Sequence, residues 1–128
     1  MSDRFEKGMN ILKITNKETI EEMFDELEDI APDLGRFVVE FPYSEIYTRD
    51  GLDLKTRELI TVAVLTALGT ASTQLEHHIN AALNVGNSPK EVVEAIIQMS
   101  AYAGFPAAIN GITIAKSLFK EKGLLPVK

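Results

Sequence analysis

The chain has 128 residues, a formal net charge of -6, and neither Cys nor Trp. That length supports one hydrophobic core, so a single domain over residues 1–128 is expected. The absence of thiols excludes a disulfide, a cysteine nucleophile and Cys-ligated zinc, and the acidic balance disfavours a nucleic-acid partner.

In chain order, Thr15-Asn16-Lys17-Glu18 reads as a capping box. Apolar Ile20, Met23, Phe24 and Leu27 follow it at helical spacing. Pro32 suits the first turn of a new helix. Residues 34–40 continue it, and Phe41-Pro42 is expected to break it. The next stretch, "FPYSEIYTRDGL", reads as short, aromatic and irregular, with a turn at Asp50-Gly51. Asp53 can cap a helix from Leu54 to about Leu68. After Glu58 that helix is apolar on nearly every face, so it needs cover on all sides, from this chain or from another subunit.

Thr73-Gln74-Leu75-Glu76 reads as a second capping box and Ser88-Pro89-Lys90-Glu91 as a third. Val92, Val93, Ile96, Ile97, Ser100 and Ala101 form the stripe of the following helix. Gly104 stops it, and Phe105-Pro106 opens a last helix that ends near Lys120–Gly123. No segment alternates with a period of two. The expected fold is all-α, with six or seven helices. No apolar run is long enough to span a bilayer, and no signal peptide is recognised, so a cytoplasmic protein without a membrane partner is expected.

The only two histidines stand side by side in "QLEHHINAAL". Leu75, His78, Ile79, Ala82 and Leu83 share one helical face, which turns His78 inward. His77 lies about 100° away, with Ala81 and Asn84. Adjacent helical positions diverge and the i,i+4 spacing of helical histidine ligands is missing, so no metal is expected. From the pattern alone, His78 is either core filling or an acid/base group.

Glu58 poses a similar choice. It lies one turn into its helix, on the side of Leu54, Val62 and Leu65. It is either an exposed first-turn carboxylate that offsets the helix dipole or a buried acid or base. Tyr43, Glu45, Tyr47 and Arg49 make a third candidate group. A guanidinium beside phenols can bind a carboxylate; otherwise the aromatics are a lid and Glu45–Arg49 a surface ion pair.

Three longer stretches, "RDGLDLKTRELITVA", "HINAALNVG" and "QMSAYAGFPAAING", resemble the carboxymuconolactone decarboxylase family, and the resemblance extends over nearly the whole chain. It implies an alkylhydroperoxidase D-like helical fold that assembles into a ring-like homo-oligomer, commonly a hexamer. His78 falls where the family carries its histidine. Glu45 and Arg49 fall in a stretch similar to the family's G-E-x-W-x-R-x-G-L, with Ser44 in place of the glycine and Tyr47 in place of the tryptophan. A sister branch of thiol peroxidases carries C-x-x-C ahead of the histidine. Ala71 and Gln74 hold those positions here, and without a thiolate that chemistry is excluded. Glu58 is similar to that branch's relay glutamate, with one residue more between it and His78.

The resemblance implies decarboxylation of a small lactone acid, of the 4-carboxymuconolactone type, without a cofactor. In that reading Arg49 holds a carboxylate, Tyr43 and Tyr47 line the substrate, and His78 is the acid or an oxyanion donor. Glu45 or Glu58 orients the imidazole or relays the proton. The alternative is a non-catalytic oligomeric protein that keeps the fold and a small-ligand cavity.

Overall fold

A computed structural model describes residues 2–128. Its regular structure is helical throughout, with no strand among the described residues: α1 (Asp3–Thr15), α2 (Ile20–Leu27), α3 (Pro32–Val38), a π-helical segment (Val39–Ile46), α4 (Leu54–Leu68), α5 (Ser72–Asn84), α6 (Pro89–Ala103) and α7 (Phe105–Glu121). The seven α-helices agree with the all-α expectation. Among the described residues, no helix is long and apolar enough to cross a membrane. The chain divides into two compact units, one ending at Leu54 and the other starting at Lys55.

In the first unit, Leu12, Ile20, Val39 and Tyr43 form the core, with Phe5, Met9 and Phe24 packed against it. Gly8 makes this packing close: a Cβ there would collide with the carbonyl oxygen of Val39. Ser2 caps α1 by accepting from the backbone N–H of Phe5.

Two local expectations are corrected here. Thr15 opens no capping box. It ends α1 on the buried side with Leu12, its hydroxyl donates to Asn16 Oδ1 at 2.7 Å, and α2 begins after Thr19 with no side-chain cap. Burial of the Leu12/Thr15 face outweighs the local capping pattern.

Nor does Phe41-Pro42 break the helix. The backbone continues from α3 into the π turn with Pro42 inside it. Proline has no N–H to donate and its ring crowds the preceding turn. A wider turn relieves both problems, and Tyr47 N–H reaches back five residues to Pro42 O at 2.8 Å. "FPYSEI" is therefore regular, and its side chains follow a wide helix instead of alternating.

In the second unit, the core gathers Val62 from α4, Leu75, Ile79 and Ala82 from α5, Val92 and Ile96 from α6, and Ala115, Leu118 and Phe119 from α7. Gly111 lets α7 approach closely: a Cβ there would stand 2.9 Å from Thr66 Cγ2 and 3.0 Å from Ile96 Cγ2. Gly104, at φ +96°, turns the chain between α6 and α7 in a conformation that side chains disfavour.

The capping box at Ser88 is complete in both directions, at 3.0 Å and 2.9 Å. The one expected at Thr73 is absent. Helix α5 starts two residues earlier, with Ala71 at its cap, and Leu75 N–H closes the first turn on Ala71 O at 2.8 Å. The buried face of α5 is also broader than the stripe, since Asn80 and Ala81 are buried.

Helix α4 buries Glu58, Val62 and Thr66 along one line. Its apolar Ile60, Val64 and Leu68 remain exposed at 51%, 49% and 60%. Within this chain, then, the helix that reads as apolar all round is covered on one side.

Candidate functional site

Helix α4 places Glu58 on its buried line, and the side chain has no solvent exposure. The exposed first-turn role is thereby ruled out for this residue. Helix α5 turns His78 inward, where its side chain is 18% exposed. The two meet: His78 Nδ1 lies 2.9 Å from Glu58 Oε1. A buried carboxylate on one ring nitrogen fixes the ring's orientation and leaves Nε2 as the atom able to face a reactant. Sequence spacing proposed each residue separately; the contact between them is a side-chain contact from α5 to α4. The helix carrying both histidines therefore gives them different settings. His78 faces a buried acid, while His77 is part-buried beside it on another face.

The other predicted site residues lie in the first unit. Glu45 makes an exposed ion pair, with Arg4 Nε at 2.9 Å. Arg49 is exposed. An open groove of about 720 Å³ is lined by Arg4, Lys7, Ser44, Glu45, Thr48 and Arg49, among others. Tyr43 is in the core at 6% exposure, and its hydroxyl donates to Asn16 Oδ1 at 3.2 Å. Tyr47 packs on Tyr43, with ring centroids 4.9 Å apart and planes inclined by 51°. The π turn brings these two rings together.

Sequence reading missed Arg4 and Glu40. Glu40 sits in the first turn of the π segment. Its carboxylate accepts from Ser2 Oγ at 2.6 Å and Arg36 Nη1 at 2.8 Å, while Arg4 Nη2 donates to its carbonyl at 3.2 Å. The Ser2 hydroxyl first, then the Arg36 guanidinium, hold its carboxyl below the usual range. The only hint in the sequence was the i,i+4 spacing of Arg36 and Glu40. Among the described residues, no three His, Asp or Glu side chains gather as a metal site would require.

Comparisons with known proteins agree with this architecture. A family model described as the carboxymuconolactone decarboxylase family matches residues 32–117. The chain is 32% identical to a 4-carboxymuconolactone decarboxylase of Acinetobacter baylyi, over 98% of this chain and 93% of that one. It is 34% identical to an uncharacterised 15.0 kDa protein of Paracoccus denitrificans, over 75% of this chain and 72% of that one. It is 23% identical to a nitrosuccinic acid decarboxylase of Metarhizium robertsii, over 91% and 82%.

Proposed function

Because the chain belongs to the carboxymuconolactone decarboxylase family, we propose that it is a cofactor-independent carboxy-lyase acting on a small lactone acid of the 4-carboxymuconolactone type. The observation that carries this reading is the 2.9 Å contact between His78 Nδ1 and the fully buried Glu58. Two relatives named as decarboxylases, of which one acts on 4-carboxymuconolactone and one on nitrosuccinic acid, support the reaction class.

The chemistry needs no electron sink beyond the substrate. The departing carboxylate is vinylogous to the lactone carbonyl. As the bond to that carboxylate breaks, its electron pair moves into a dienolate on the lactone and carbon dioxide leaves. One proton delivered to carbon completes the enol-lactone. His78 supplies that proton from Nε2, and Glu58 at Nδ1 keeps the ring aimed. The exposed Arg49 guanidinium is chemically suited to hold a carboxylate as a forked donor. The partner carboxylate is Glu58 and not Glu45, since Glu45 is engaged by Arg4 at the surface.

A panel of lactone acids, followed by ultraviolet absorbance, tests the reading. His78→Asn should lower kcat by about 10²-fold, the scale expected on losing a general acid. His77→Asn should change it by less than about threefold, the effect of a peripheral substitution. Turnover that survives His78→Asn, or an absence of turnover across the panel, would instead favour a ligand-binding protein without catalysis.

The functional form is a homo-oligomer, and a hexamer is the form proposed. Ile60, Val64 and Leu68 form an exposed apolar line on α4. Beside it, Leu59, Ile60, Ala63, Ala95, Ile97 and Met99 line a groove of about 660 Å³. Light scattering at micromolar concentration should find no stable monomer.

A further inference from the structure

Asn87 lies in the loop between α5 and α6 and is 5% exposed. Its Nδ2 donates to two carbonyl oxygens, Lys55 O at 2.9 Å and Ala82 O at 3.1 Å. Its own backbone N–H also donates to Ala82 O at 3.0 Å, which ties the residue firmly to α5. The amide orientation follows from the partners, because a flipped amide would set Oδ1 against two acceptors. Oδ1 is meanwhile buried with no hydrogen-bond partner. A buried orphan acceptor is costly, so the position is held by what the nitrogen does.

The two carbonyls belong to the helices that carry Glu58 and His78. Lys55 is three residues before Glu58 on α4, roughly 4.5 Å along the axis, and Ala82 is four residues after His78 on α5, roughly 6 Å. One primary amide therefore bridges the helix that carries the acid and the helix that carries the imidazole, within about one turn of each. Over so short a length a helix transmits a displacement almost undamped. A slip of about 1 Å at the bridge would stretch the 2.9 Å contact beyond hydrogen-bonding distance. The other link from Lys55 to this region, its ion pair with Glu91 at 3.3 Å, has both side chains almost half exposed and constrains little.

We propose that Asn87 is a positioning residue for the His78–Glu58 pair: its side-chain amide sets the register of α4 against α5 at which Nδ1 and Oε1 meet. This rests on the reading of that pair as the reactive centre. Asn87→Leu keeps the branched heavy-atom skeleton at a larger volume, removes both donations and also removes the buried orphan oxygen. The fold is therefore expected to survive it. Asn87→Asp keeps the shape and sets carboxylate oxygens against both carbonyls.

The test is ¹⁵N-edited NMR of the His78 ring together with steady-state kinetics. In the parent, the His78 Nδ1–H signal should respond to Glu58→Gln. In Asn87→Leu and Asn87→Asp, that proton should exchange with water at least about tenfold faster. Turnover should drop by about tenfold or more with KM within about twofold, as expected for misplacement of a reacting group. Val92→Ala, a core change on α6 that leaves the Asn87 amide in place, should lower stability and leave the exchange rate unchanged. If the parent signal ignores Glu58→Gln, the pair itself fails and the clamp with it. If it responds to Glu58→Gln and not to Asn87→Leu, or responds equally to Val92→Ala, the clamp alone is refuted.

Discussion

Replacing His78 and Glu58 by leucine, singly and together, separates what the pair contributes to folding from what it contributes to chemistry. Glu58 is fully buried and His78 keeps 18% of its side-chain surface open, so the two single variants should not be equivalent. His78→Leu leaves a buried carboxylate without its imidazole. Breaking a buried pair in this way costs about 3–5 kcal/mol, and the partial exposure on the histidine side places this case near 3 kcal/mol. Glu58→Leu leaves an imidazole that can still reach water, a loss of about 1–2 kcal/mol. The double variant exchanges both groups for apolar ones of similar size and should fall within about 1 kcal/mol of the parent. The coupling energy is then at least about 3 kcal/mol. For a chain of this length 1 kcal/mol corresponds to roughly 3–5 °C in Tm, so His78→Leu should melt about 10–15 °C lower and the double variant close to the parent. Urea and thermal unfolding at one fixed protein concentration measure this; fixing the concentration removes mass-action effects of assembly. A double variant that loses the sum of the two single losses would refute the argument. It would mean that the two side chains are not energetically coupled, and that their contact is no sign of a reactive centre.

Gly111→Ala should destabilise by about 1–2 kcal/mol net, because the overpacking cost exceeds the helix-propensity gain of up to about 1 kcal/mol. Thr66 and Ile96 are buried and β-branched, and Thr66 Oγ1 is held by Val62 O at 2.8 Å, so neither can rotate away; a rise in Tm would overturn this. Glu40 predicts a pH dependence. Its folded carboxyl lies below the ordinary value of 4.5, so its contribution is present above that value and is lost as pH falls through the lowered one. The Tm difference between parent and Glu40→Gln should therefore shrink on acidification, and a constant difference would refute the assignment.

Helix existence was legible from periodicity, because α4, α6 and α7 are long segments whose apolar spacing and Gly or Pro punctuation point the same way. Helix starts were legible only where no packing demand competed with the cap. At Ser88 nothing opposed the capping box, and it formed. At Thr15 the same pattern lay on the buried side of a preceding helix, and burial won. Pro42 misled for a different reason: a proline bars the α-helical hydrogen bond, but it does not bar a wider turn.

The candidate site shows the same division between local pattern and packing. Periodicity turned His78 inward without knowing what it would meet. Glu58 looked like a first-turn acid because its own helix offers a sufficient reason for one there. The family resemblance offered Glu58 or Glu45 as the imidazole's partner, and the 2.9 Å contact of Glu58 with His78 is tertiary. Asn87 left no local signal, because an asparagine after a glycine in a loop is already explained as turn chemistry. A turn residue exposes its amide to water, whereas this one buries it between two carbonyls. That difference is tertiary, and it is why the side chain proposed here to set the geometry of the pair was the least visible in the sequence.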